Sequence, residues 1–135
     1  MRRWVGVVAL VSLAGACGGS ASSSVKREEW RAKLRTAMQE DVPTRDKRDE
    51  LSRLMVEAVE NGALDRLNQL DVQNAFGKGL SCDGNELCEK QGFESTDWYY
   101  PIGNATDDKI KQLPILIVGF DGHGRVSRVY TLKTH

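Results

Sequence analysis

The sequence predicts an α+β fold: helices packed on a three-stranded antiparallel sheet, preceded by a helical hairpin. Three observations carry this. Residues 26–62 hold two apolar repeats at helical spacing. Further on, two β-rich runs, Ile115 to Phe120 and Arg125 to Leu132, flank Asp121-Gly122-His123-Gly124. Asp-Gly between such runs signals a hairpin, with that glycine accepting the positive φ of the turn. A lone hairpin is marginal in water, and Thr96-Asp97-Trp98-Tyr99-Tyr100 supplies a third strand-like segment.

The chain opens on an address. Met1-Arg2-Arg3 is a positive n-region, Trp4 to Leu13 a short apolar run, and Ala14-Gly15-Ala16 are small. These are the three parts of a secretory signal. The apolar run is shorter than the roughly 20 residues that a membrane-spanning helix needs. Cys17 follows directly. Leu13-Ala14-Gly15-Ala16-Cys17 looks like a bacterial lipobox, in which the thiol is diacylated and becomes the first residue after cleavage. The alternative is an ordinary signal peptide cut nearby, with Cys17 incidental. On the lipobox reading, residues 1–16 are the signal peptide and residues 17–25 are the lipidated cysteine and a flexible tether rich in Gly and Ser. Two acyl chains hold a protein on a membrane without a spanning helix. Inner-membrane retention typically uses Asp after the cysteine. Gly18 stands there instead, so by resemblance the chain is sorted to the outer membrane, facing the periplasm.

Residues 26–62 predict the helical hairpin. From Lys26 to Glu40, Trp30, Leu34, Ala37 and Met38 fall at i, i+4, i+7, i+8. Pro43 ends that helix, and Thr44 or Asp46 caps the next. Leu51, Leu54, Met55, Ala58 and Val59 form its apolar stripe, and Asn61-Gly62 stops it. The charges from Arg45 to Glu50, Arg48 included, are assigned to the solvated face.

Residues 63–135 predict the α+β domain. Leu67 to Gly79 reads as a short helix capped by Asn68, with Asp71 in its first turn. Leu70, Val72, Ala75 and Phe76 are its apolar positions, and Gly77 and Gly79 end it. In the strand that follows, alternation puts Trp98 and Tyr100 on one face and Tyr99 on the other.

Once Cys17 is lipidated, Cys82 and Cys88 remain as an even pair in an oxidising compartment. Asp83-Gly84-Asn85 between them is turn chemistry. A disulfide there braces the link between helix and sheet. The rival is a metal held by two thiolates with Asp83 and Glu86. Zinc sites usually gather four N or S ligands at tighter spacing, and the only histidines are His123 and His135. The disulfide is preferred, and neither metal nor cofactor is expected.

The order of three segments resembles the SmpA/OmlA (BamE-like) family of outer-membrane lipoproteins. The residues that carry it are Val72, Phe76 and Gly77 on the short helix, Asp97, Trp98 and Tyr100, and Phe120, Asp121, Gly124 and Val126 at the hairpin. It covers residues 64–132, and the lipobox agrees with it. Lys78-Gly79 stands where the family carries a proline, and the Cys82–Cys88 insertion and the helical front half are extra. The resemblance implies two helices against a three-stranded antiparallel sheet. It also implies an accessory role in the machinery that inserts β-barrels into the outer membrane. The same fold serves other binding duties, β-lactamase-inhibitor-like modules among them, so fold alone does not fix function.

Composition excludes one class of partner. Without Arg2 and Arg3 of the leader, 17 basic side chains face 19 acidic ones, which is no footprint for nucleic acid. No catalytic residue is identified: neither histidine has a local carboxylate or cysteine pairing that suggests a triad. The expected function is therefore non-enzymatic. It is contact with an envelope protein, in barrel assembly or envelope integrity, by a chain held on the membrane through its anchor. The alternative is a structural or stress-related envelope lipoprotein, or an inhibitor-like module, without barrel-assembly contact. The expected partner contacts are Tyr99, Asn104, Asp107 and Asp108, in and beside the polar loop from Pro101 to Gln112, because binding residues concentrate on such loops.

Overall fold

The computed structural model describes residues 23–107, 110 and 112–133. Cys17 with its lipobox, Asp108 and His135 lie outside the described residues. Among the described residues no helix is long and apolar enough to cross a membrane.

Helix α1 (residues 23–39) turns Leu34 and Ala37 into the core, with Trp30 and Met38 half-buried beside them. The chain then extends through β1 (Asp41–Val42) to Thr44, which caps α2 (Arg45–Glu60). The Thr44 hydroxyl accepts the Lys47 N–H at 3.1 Å, satisfying one of the donors that a helix start leaves open. α2 buries Leu51, Met55 and Ala58. It also buries Arg48, which corrects the assignment of that residue to the solvated face. The reason is spacing: Arg48 precedes Leu51 by three residues and Met55 by seven, so it sits on their stripe.

Asn68 and Asp71 close a capping box at the start of α3 (Gln69–Phe76). The Asn68 Oδ1 accepts the Asp71 N–H at 2.8 Å, and the Asp71 carboxylate accepts the Asn68 N–H at 3.1 Å. α3 faces the core with Val72 and Phe76, at i and i+4. Leu70, read as an apolar position of that face, is instead 64% exposed, because two residues' separation puts it on the far side from Val72.

The main sheet has four strands in the order β2-β3-β5-β6, all antiparallel. These are β2 (Leu80–Ser81), β3 (Trp98–Pro101), β5 (Ile115–Phe120) and β6 (Val126–Leu132). The expectation of three strands missed β2, where Leu80 and Ser81 pair with Tyr99 and Trp98. Two residues have no alternation to reveal them. Between β2 and β3 lies the short helix α4 (Glu86–Lys90). A separate parallel pair joins β1 to β4 (Asn104–Ala105), Asp41 opposite Asn104 and Val42 opposite Ala105.

Alternation along the strands builds two apolar layers. Trp98, Tyr100, Leu116 and Val118 face the helices and share one core with Leu34, Leu51, Met55 and Val72. Ile117 faces the other way, onto Cys82, Cys88 and Phe93, with Tyr99, Ile115 and Tyr130 packed around them. The hairpin between β5 and β6 turns on Gly124 at φ 78° rather than on Gly122. The Asp121 N–H donates to the Arg125 carbonyl at 2.8 Å and the Gly124 N–H to the Asp121 carbonyl at 3.0 Å. This is a three-residue loop with the left-handed residue at its end, so the second glycine carries the positive φ.

Candidate functional site

Cys82 and Cys88 are both buried and joined by a disulfide, with Cα atoms 5.5 Å apart. Asn85 caps α4 inside this loop by accepting the Cys88 N–H at 3.0 Å. The bridge thus holds a small lid, α4 and Phe93, over the back of the sheet. Among the described residues no group of three or more His, Cys, Asp or Glu is placed to hold a metal. Replacing both cysteines by serine is expected to lower stability by about 2 kcal/mol, the chain-entropy value for so short a loop. Urea titration of the double variant and of the reduced parent measures this, and unchanged midpoints would reject it.

Of the expected partner residues, Tyr99, Asn104 and Asp107 fall among the described residues. Tyr99 is half-buried on the disulfide side of the sheet. Asn104 belongs to β4 and fastens the loop to the end of α1: its N–H donates to the Glu40 carbonyl at 2.8 Å and its Nδ2 to the Gln39 carbonyl at 3.1 Å. Asp107 is exposed, and its carbonyl accepts the Ile110 N–H at 2.9 Å. His123 is exposed at the hairpin turn. The Asp121 carboxylate there accepts the N–H groups of Arg125 and His123, at 3.0 and 2.8 Å, which hold its pKa below the usual carboxylate value.

The residues at Asp97, Trp98 and Tyr100 serve the fold. Asp97 is 4% exposed and accepts two backbone N–H groups, Glu94 at 2.8 Å and Phe120 at 3.1 Å. It ties the entry of β3 to the exit of β5. Trp98 stacks edge-on against Phe120 with ring centroids 5.2 Å apart. The Tyr100 hydroxyl donates to the Gly77 carbonyl at 2.7 Å, closing the end of α3 onto the sheet, and burial pushes its pKa above the ordinary phenol range.

A different feature collects charge. A cleft of about 510 Å³ between α1 and the 66–75 segment is lined by Arg27, Arg31, Arg35 and Arg66, with Glu28 and Asp71. Arg31 is largely occupied: its Nε donates to the Ala63 carbonyl at 2.8 Å, Nη2 to the Asp65 carbonyl at 3.1 Å, and Nη1 pairs with Glu28. Arg35 reaches the Ala75 carbonyl at 3.3 Å. Arg27 and Arg66 have no hydrogen-bond or ion-pair partner among the described residues. Arg66 holds a left-handed backbone at φ 62°, which a non-glycine residue adopts at a cost. The spacing Arg27-Arg31-Arg35, one face of a helix, was legible in the sequence; Arg66 meeting it was not. Compared with known proteins, the chain matches no family model, no curated relative and no solved structure.

Proposed function

We propose that this chain is a non-enzymatic, lipid-anchored protein of the outer membrane. Its α+β domain faces the periplasm and contacts a protein of the envelope, as an accessory to β-barrel assembly or to envelope integrity. The observation that carries this reading is the order of parts at the front of the chain: a charged leader, a short apolar run, small residues and Cys17, followed within a few residues by a folded unit from residue 23. The buried Cys82–Cys88 bridge supports an oxidising compartment. The BamE-like pattern of Val72, Gly77, Asp97, Trp98, Phe120 and Gly124 supports the assembly role.

A second reading has support of its own. Strand β2, the disulfide lid and the α1–α2 hairpin all fall outside the family pattern. They favour an envelope lipoprotein that binds some other partner, structural or inhibitor-like, with no contact to the barrel-assembly machinery.

Crosslinking in intact envelopes followed by pull-down separates the two. Recovery of barrel-assembly components supports the first reading, and their consistent absence beside other captured envelope proteins supports the second. The anchor is tested by Cys17→Ala. The parent is expected in the membrane fraction and the variant in the soluble periplasmic fraction or retained with its leader uncleaved. A variant that is processed and fractionates as the parent does would remove the anchor from the proposal.

A further inference from the structure

We propose that the arginine cleft between α1 and the 66–75 segment is a docking site for the phosphate groups of an anionic membrane surface. The inference rests on the lipid anchor at Cys17 proposed above.

Its first support is charge. The whole chain is formally neutral, yet four arginines meet two carboxylates in this one cleft. Arg31 and Arg35 are bound to backbone carbonyls and act as fixed walls. Arg27 and Arg66 approach from opposite elements and have no internal partner among the described residues. Asp71 is engaged in the α3 capping box and Glu28 with Arg31. Four arginines against two carboxylates leave the cleft a formal surplus of two positive charges. Guanidinium forks suit phosphate oxygens, which accept two parallel N–H donors.

The second support is reach. Six residues, or seven Cα–Cα steps, separate Cys17 from Ser24, which itself lines the cleft. Even fully extended they span at most about 25 Å. An anchored chain therefore carries this cleft close to the lipid headgroups.

The third is exposed apolar surface on the two helices that supply the cleft. Val25 and Leu70 are 55% and 64% exposed, one on α1 two residues before Arg27 and the other on α3 one residue before Asp71. Exposed apolar side chains on the same helices as a basic cleft suit an interface of charged headgroups over hydrocarbon. A soluble phosphate ligand gives them nothing to cover.

The test uses the full chain isolated from membranes and reconstituted in vesicles. One set is phosphatidylcholine alone, and the other holds phosphatidylcholine with phosphatidylglycerol. An arginine-selective dicarbonyl reagent is applied and the digest is read by mass spectrometry. Arg27 and Arg66 are expected to react about fivefold more slowly on the anionic vesicles. Arg45 and Arg53, exposed on α2 and outside the cleft lining, are expected to react equally on both. High salt is expected to remove the protection. Equal rates for Arg27 and Arg66 on the two vesicles overturn the proposal. So does equal protection by inorganic phosphate on neutral vesicles, which assigns the cleft to a soluble anion. The N-terminal peptide mass in the same digest reports acylation of Cys17 separately. Missing acyl mass overturns the anchor, while missing protection with the acyl mass present overturns the docking site alone.

Discussion

Replacing Asp97 by alanine is expected to lower the unfolding free energy by about 4 kcal/mol. The carboxylate is buried and each oxygen accepts a separate backbone N–H, from Glu94 and from Phe120. Charge-assisted bonds of this kind are stronger than neutral ones. Alanine removes both acceptors and leaves two donors without a partner in a packed region, so the desolvation penalty falls on the backbone. Asn is expected to recover part of the loss, because its carbonyl oxygen serves one donor while its NH₂ faces the other. Urea denaturation of D97A and D97N measures the order: parent, then D97N, then D97A. If D97A matched the parent, the clasp between β3 and β5 would contribute nothing and its assignment would fall.

Gly103→Val is expected to cost about 3 kcal/mol and to lower Tm by about 12 °C. Two penalties coincide there. Gly103 has φ +101°, outside the range a β-branched residue tolerates. A Cβ at that position would also lie 2.5 Å from Val42 Cγ2 and 3.0 Å from Leu51 Cδ1. Both neighbours are fully buried, so neither has room to move. Gly122→Ala is the matched control: its Cβ meets nothing within 4 Å, and its backbone is not left-handed. Its midpoint is expected to stay at the parent's value. Thermal unfolding of the pair by circular dichroism checks both, and equal losses in the two variants would sink the steric account.

Much of the architecture was legible because periodicity and caps are local signals. The α2 and α3 boundaries followed from Thr44, Asn61-Gly62, Asn68 and Gly77, each of which the structure uses as a stop or cap. The facing of Trp98 and Tyr100 against Tyr99 followed from strand alternation. What escaped depends on contacts distant in sequence. β2 and β4 are two residues long and exist only because Tyr99 and Asp41 stand opposite them. Arg48 reads as surface by composition and sits in the core by position. Asn104 reads as a loop residue open to a partner, while its amide is spent on the end of α1. The arginine cleft was half visible: the Arg27-Arg31-Arg35 stripe is local, but Arg66 joins it only through the turn after α2.

The parallel pairing of β1 with β4 sets an order of events. Asp41 and Val42 find their partners only when Asn104 and Ala105 have been delivered. Leu34 and Met55 lie in one core with Leu116 and Val118, so the front hairpin alone covers them only in part. As the chain emerges in sequence order, its first half waits with its apolar stripes partly uncovered until the last strands arrive. Non-local closure of this kind slows folding and lengthens exposure to aggregation. Truncation before Ile115 therefore leaves amphipathic helices without a floor, prone to aggregation and proteolysis rather than a smaller version of the same protein.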